Sequence, residues 1–148
     1  MRFRLIDAVL DVGRDEHGRA VRASAIKNVS AAEEYLGDHF AGFPILPGVF
    51  MLEALVQTAR HVADARDADA GGGSAGLPWV LGTVRAMKYG RFVPPGATLR
   101  LEVELAKVGE DGTLEFKGVG SVRGPGEAAD GEAATAVSGR FSLRRARV

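Results

Sequence analysis

Between Phe40 and Ala59 the chain carries one ionisable side chain, Glu53. Within that stretch the run after Gly48 has no Gly or Pro, and its apolar residues cover almost every direction of a helical wheel. A helix that is apolar nearly all round is buried in its protein rather than laid on the surface. The pattern predicts a helix from Gly48 to about Arg66, with Pro47 near its first turn, where a missing N–H costs nothing. A carboxylate in mid-helix is costly there unless it is paired, protonated or used. The rest of the fold has to supply a cover for this helix and an explanation for Glu53.

Composition narrows the possibilities. The 148 residues suit one domain, here residues 1–148, and 46% apolar content suffices for its core. The formal net charge is zero, so no global field favours nucleic acid. There is no cysteine, which removes disulfides, thiolate metal sites and cysteine nucleophiles; no metal site is expected. No apolar run of signal-peptide length precedes Asp7, and none of membrane-spanning length occurs. The expectation is a soluble, cytoplasmic protein.

Leu5–Val12 and Arg19–Val29 read as two strands joined by a polar turn in which His17 is solvated. Ser30 with Glu33 fits a capping box, predicting a short helix from Ser30 to about Gly37. Asp38–Pro47 is a stiff, irregular loop. After the long helix, residues 67–76 read as a flexible surface linker. Strands are then expected over Trp79–Lys88, Thr98–Val108, Thr113–Val122 and Ala134–Leu143, with Gly90–Gly96 a bulge or edge loop because of Pro94 and Pro95. Leu99, Leu101, Val103 and Leu105 alternate with charged residues, the mark of a half-buried strand. Arg144, Arg145 and Arg147 read as a frayed, soluble end. The sum is an α+β architecture, an antiparallel sheet of five or six strands curled around one long helix.

His39 and Glu53 form the candidate catalytic pair. Imidazole acts as a base near neutral pH. A carboxyl in an apolar setting is pushed towards its protonated form and can serve as the acid. The helix start at Gly48 offers unpaired N–H groups and a positive dipole end that can polarise a carbonyl. A base, an acid and an oxyanion site suit proton abstraction beside a carbonyl with loss of a β-substituent. The plain alternative is a capped or solvated histidine and a glutamate bonded to backbone. Gln57, one turn beyond Glu53, either orients that carboxylate or satisfies a buried polar neighbour. Trp79, Met87 and Tyr89 either line an apolar tunnel or pack in the core.

The run His39-Phe40-Ala41-Gly42-Phe43-Pro44-Ile45-Leu46-Pro47-Gly48, continued through Glu53 to Gln57, resembles the HFPGxPxxPGVxxxEAxxQ signature of the FabZ-type 3-hydroxyacyl-acyl-carrier-protein dehydratases. The similarity spans nearly the whole chain. Phe3–Asp7 and Ala25–Val29 look like the opening segments of that family, and Lys88–Gly96 like its RFRRPVxPGD segment. The resemblance implies a hotdog fold and a homodimer, commonly a trimer of dimers, with His39 of one protomer facing Glu53 of the other. It implies that His39 removes the C2 proton of a 3-hydroxyacyl thioester and that Glu53 protonates the departing hydroxyl. The Gly48 N–H would hold the thioester carbonyl, with no cofactor. Glu at position 53 matches the FabZ type rather than the isomerising FabA type. Phe40 and Phe43 would join the tunnel wall, and Arg85, Lys88 and Arg91 would dock the acidic acyl-carrier protein. Ala41 departs from the usual Pro, a change that bears on the stiffness of the His39 loop; Gly90 and Phe92 depart from the usual Arg and Pro. Such changes suit a homologue specialised for polyketide, aryl-polyene or lipid synthesis. A hotdog thioesterase and a non-catalytic acyl-binding subunit remain the alternatives.

Overall fold

Alternation, turn chemistry and one apolar run translate into eight elements. The computed structural model describes residues 3–71 and 76–147. They are β1 (Ala8–Arg14), β2 (Ala20–Asn28), a 3-10 turn (Glu34–Gly37), α1 (Gly48–Asp69), β3 (Trp79–Tyr89), β4 (Thr98–Val108), β5 (Leu114–Arg123) and β6 (Ala134–Arg145). The strands form one antiparallel sheet in the order β1-β2-β4-β5-β6-β3. Its inner face wraps α1, the hotdog arrangement expected from the sequence.

The core is where the two periodicities meet. Met51, Ala54, Leu55, Val56, Thr58, Ala59, Val62 and Ala63 turn the buried face of α1 towards Leu99, Leu101, Val103, Phe116, Phe141 and Leu143 of the sheet. On β4, Arg100, Glu102 and Glu104 point to solvent, as the period-2 pattern requires. Close approach of helix to sheet depends on Gly118. A Cβ there would lie 3.1 Å from a Leu55 methyl and 3.0 Å from the Phe141 ring. The Thr58 hydroxyl, fully buried, donates to the Ala54 carbonyl 2.8 Å away, so it adds no unmet polar group to the core. Among the described residues no helix is long and apolar enough to cross a membrane.

Three local expectations need correction. First, no helix begins at Ser30. Only half of a capping box forms: Glu33 accepts the Ser30 N–H (3.4 Å), but Ser30 Oγ accepts from Ala32 (3.1 Å) while the Glu33 N–H goes to the Ser30 carbonyl (3.2 Å). Glu33 also binds Lys27 and the Tyr35 hydroxyl, and only the 3-10 turn follows. Second, α1 runs past Arg66 into the expected linker and ends at Asp69. Asp67 accepts the Trp79 indole N–H (2.9 Å) and pairs with Arg145, while Asp69 pairs with Arg14. Residues 72–75 of that linker lie outside the described residues. Third, Arg144 and Arg145 are not frayed but belong to β6. The Arg145 guanidinium lies 4.0 Å above the Trp79 ring and donates to the Leu77 carbonyl at 2.7 Å.

Candidate active site

The His39 loop is fastened by backbone groups. The His39 N–H donates to the Tyr35 carbonyl (3.1 Å), and the Ile45 N–H returns to the His39 carbonyl (3.0 Å). Phe40 and Phe43 exchange both backbone hydrogen bonds around a tight turn in which Gly42 takes φ +77°. The Leu46 N–H then donates to Val93 (2.8 Å), joining this loop to the segment after β3. The imidazole is half-buried, and its Nδ1 lies 2.9 Å from the Ile45 carbonyl. A carbonyl can only accept, so Nδ1 carries the proton and Nε2 is left with a free lone pair. The ring is thereby set as a base aimed away from its own loop. Phe40 stacks on it at 4.0 Å between ring centres.

The loop delivers the chain into α1, whose first turn ends on the Pro47 carbonyl, which accepts from Phe50 (3.0 Å) and Met51 (3.1 Å). The N–H groups of Gly48 and Val49 precede any intrahelical acceptor and point out of the helix start. A Cβ at position 48 would come 2.8 Å from the Tyr89 ring, so any larger residue there requires that ring to move. Tyr89 therefore lies across the helix start, next to the bare amide.

Glu53 stands further along α1, roughly 8 Å from Gly48 at the helical rise. Its side chain is 29% exposed rather than sealed in the core. Oε1 accepts from Gln57 Nε2 (3.1 Å) and from Arg60 Nη1 (3.3 Å). Gln57 is itself fixed, since its Oε1 takes the Leu5 N–H (2.8 Å) and its Nε2 also reaches the Phe3 carbonyl (3.2 Å). Within one chain no hydrogen bond joins His39 to Glu53 among the described residues.

The other expected site residues divide. His39, Phe40, Phe43, Gly48 and Tyr89 gather at the start of α1, and Phe92 packs edge-on against Phe43 at 5.5 Å. Met87 is half-buried against the core and touches the Gly139 backbone position. Trp79 belongs to the Asp67–Arg145 cluster near the far end of α1. Arg85 and Lys88 are exposed on β3, on either side of Ala86, which takes φ +50°. Arg91 is committed to Glu127.

Several residues were missed by sequence reading. Arg60 lies two turns beyond Glu53 on one helix face, a spacing that could have revealed it. Lys27, Glu33 and Tyr35 form a cluster beneath the His39 loop. Lys27 is 4% exposed, and its ammonium donates to Glu33 at 2.7 Å. Burial pushes the Glu33 carboxyl upward, but bonds from Lys27 and Tyr35 outweigh it and hold Glu33 below the usual carboxylate range. Burial, then the Glu33 charge, pushes the Tyr35 phenol upward. The ring of Tyr35 packs edge-on against Phe50 of α1 at 4.8 Å, tying the cluster to the helix start. Val49, 66% exposed, and Phe92, 59% exposed, complete an apolar patch that the described residues leave uncovered.

Comparison with known proteins places these features in context. Residues 1–128 match the model of the FabA-like domain. The 3-hydroxyacyl-[acyl-carrier-protein] dehydratase FabZ of Sodalis glossinidius is 37% identical over 143 residues, covering 97% of this chain and 84% of that protein. The FabZ of Pelotomaculum thermopropionicum is 42% identical over 106 residues, covering 72% and 69%. Among solved structures, the dehydratase heterocomplex ApeI:P from Xenorhabdus doucetiae superposes with a TM-score of 0.69 at 19% identity, covering 97% of this chain and 84% of that one. At that identity the likeness shows the fold alone.

Proposed function

This chain belongs to the FabA-like family, and from that premise we propose that it is a hydro-lyase that converts 3-hydroxyacyl-acyl-carrier-protein thioesters to trans-2-enoyl thioesters and water in fatty acid biosynthesis. The observation that carries the reading is the tautomer imposed on His39, whose Nδ1 is turned to the Ile45 carbonyl and whose Nε2 keeps its lone pair, in the loop that leads into α1 at Gly48. In this mechanism Nε2 takes the C2 proton. The C2–H pair becomes the C2–C3 double bond as the C3–O bond breaks. Glu53 gives a proton to the departing hydroxyl, which leaves as water. The Gly48 N–H receives the charge that develops on the thioester oxygen. The elimination changes no net oxidation state, so the step needs no electron acceptor or donor.

Within one chain no hydrogen bond joins His39 to Glu53 among the described residues, and the reading assigns them to one site by pairing two copies, with residues 1–148 as the catalytic domain. Two observations support a homodimer. The uncovered patch of Phe40, Phe43, Val49, Tyr89 and Phe92 surrounds the start of α1. β3 closes the sheet as an edge strand, exposed from Gly82 to Ala86, and unpaired edges invite strand pairing. Solution mass would separate a dimer from a trimer of dimers. Arg85 and Lys88 remain the candidate cations for the carrier protein, and a cytoplasmic location fits this role. Arg91, paired to Glu127, is the weakest of the three docking assignments.

The test is incubation with a 3-hydroxyacyl carrier-protein thioester while enoyl absorbance is followed. Turnover is expected, and His39→Ala and Glu53→Gln should each lower it by about 100-fold or more. Absence of turnover, or full turnover by Glu53→Gln, refutes the assignment. Release of free carrier thiol would identify a thioesterase instead.

A further inference from the structure

Glu53 is held asymmetrically. Gln57 and Arg60 both donate to Oε1, and Oε2 takes no hydrogen bond among the described residues. Neither donor is loose. The carboxamide of Gln57 is oriented by Leu5: an oxygen that accepts a backbone N–H obliges the NH2 to face Glu53. The guanidinium of Arg60 is oriented by Trp79, whose carbonyl takes Nε–H at 3.1 Å and leaves Nη1 for Glu53. A planar fork fixes two acceptors in one rigid geometry, whereas the three donors of an ammonium rotate freely on a flexible stem. The carboxyl group is thus tied to the N-terminal segment on one side and to the start of β3 on the other.

We propose that Arg60 is a positioning residue for Glu53: with Gln57 it immobilises Oε1 and leaves Oε2 as the oxygen that exchanges a proton with the substrate hydroxyl. This inference rests on the dehydratase reading. It also assigns a purpose to the first strand residue of β3, since the Trp79 carbonyl aims Arg60. Loss of the fork frees the carboxyl to rotate, and misplacing a reacting group lowers the rate of the chemical step without weakening the hold on the acyl chain.

The experiment compares Arg60→Met and Arg60→Lys with the wild type. Arg60→Met keeps the apolar stem and removes every donor; Arg60→Lys keeps the charge and N–H donors but loses the planar fork. The expected result is a kcat lower by roughly 10- to 100-fold in Arg60→Met with KM nearly unchanged, and an intermediate kcat in Arg60→Lys. Wild-type kcat in folded Arg60→Met, or a loss carried by KM alone, would overturn the proposal. If the wild type shows no dehydratase turnover, the functional reading fails on its own, and the clamp is then tested separately. Urea unfolding of Glu53→Gln, Arg60→Met and the double variant should give non-additive midpoints; strict additivity would overturn the clamp.

Discussion

The His39 loop and the Glu53 turn of α1 lie close in sequence but use opposite means to fix a reactive group. His39 is held by main chain: its ring binds the Ile45 carbonyl, and the loop closes on itself through Tyr35, Phe43 and Val93. Glu53 is held by side chains, Gln57 and Arg60, each anchored on distant main chain. Main-chain fastening tolerates changes of side chain, because any residue supplies the same amide. Side-chain fastening fails with a single substitution. The histidine end therefore accommodates Ala41 where the family usually has Pro, whereas the glutamate end depends on the identity of residue 60.

The sharpest break between the two regions is to place them in different copies. If His39 of one protomer serves Glu53 of another, His39→Ala and Glu53→Gln are each inactive alone. Mixed after reversible dissociation, half the dimers are hybrids, and each hybrid carries one intact site and one doubly damaged site. Activity should recover to about a quarter of the wild-type value for a two-fold dimer. Rate measurement on the remixed proteins decides the matter. No recovery in a sample shown to contain hybrids would put both residues in one chain's site.

Beneath the main-chain fastening of His39 lies one side-chain dependence, the Lys27–Glu33 pair. Removing one partner from a buried ion pair leaves a charge without compensation, so Lys27→Met should destabilise the fold by about 3 kcal/mol, read from urea denaturation. The pair also has a pH signature. Glu33 has its folded value lowered from 4.5, so the unfolded chain binds the proton more tightly. Its contribution to stability is complete above that unfolded value and is lost as pH falls through the lower folded one. In Lys27→Met the cation is gone, and this part of the acid-side slope should shrink or change sign.

The difference in fastening also explains what was readable in the sequence. Alternation placed β4 at its observed limits, and the apolar run located α1, because both patterns are local and repeat. The candidate pair was legible from residue type and spacing. The ends of α1 and β6 were not: Asp67 and Arg145 meet across the fold, and such partners leave no trace in a neighbouring window. Ser30 and Glu33 looked like a helix cap because similar side-chain bonds serve a turn when the acid has another partner in Lys27. For Trp79 the sequence leaves tunnel wall and core packing open, because nothing in its neighbourhood signals that Asp67 and Arg145 hold it.

The smallest expected effect tests the tolerant end directly. Ala41 follows Phe40 at the second position of the Phe40–Phe43 turn, where proline is well accommodated. The turn uses the N–H groups of Phe40 and Phe43. Ala41→Pro therefore removes no bond from the turn and reduces the freedom of the unfolded chain. The variant should gain about 0.5 kcal/mol in urea denaturation and keep its dehydratase rate, because the Ile45 carbonyl, not residue 41, sets the His39 ring. A large fall in rate with unchanged stability would mean that the loop must flex during turnover, and that its main-chain bonds open in the catalytic cycle.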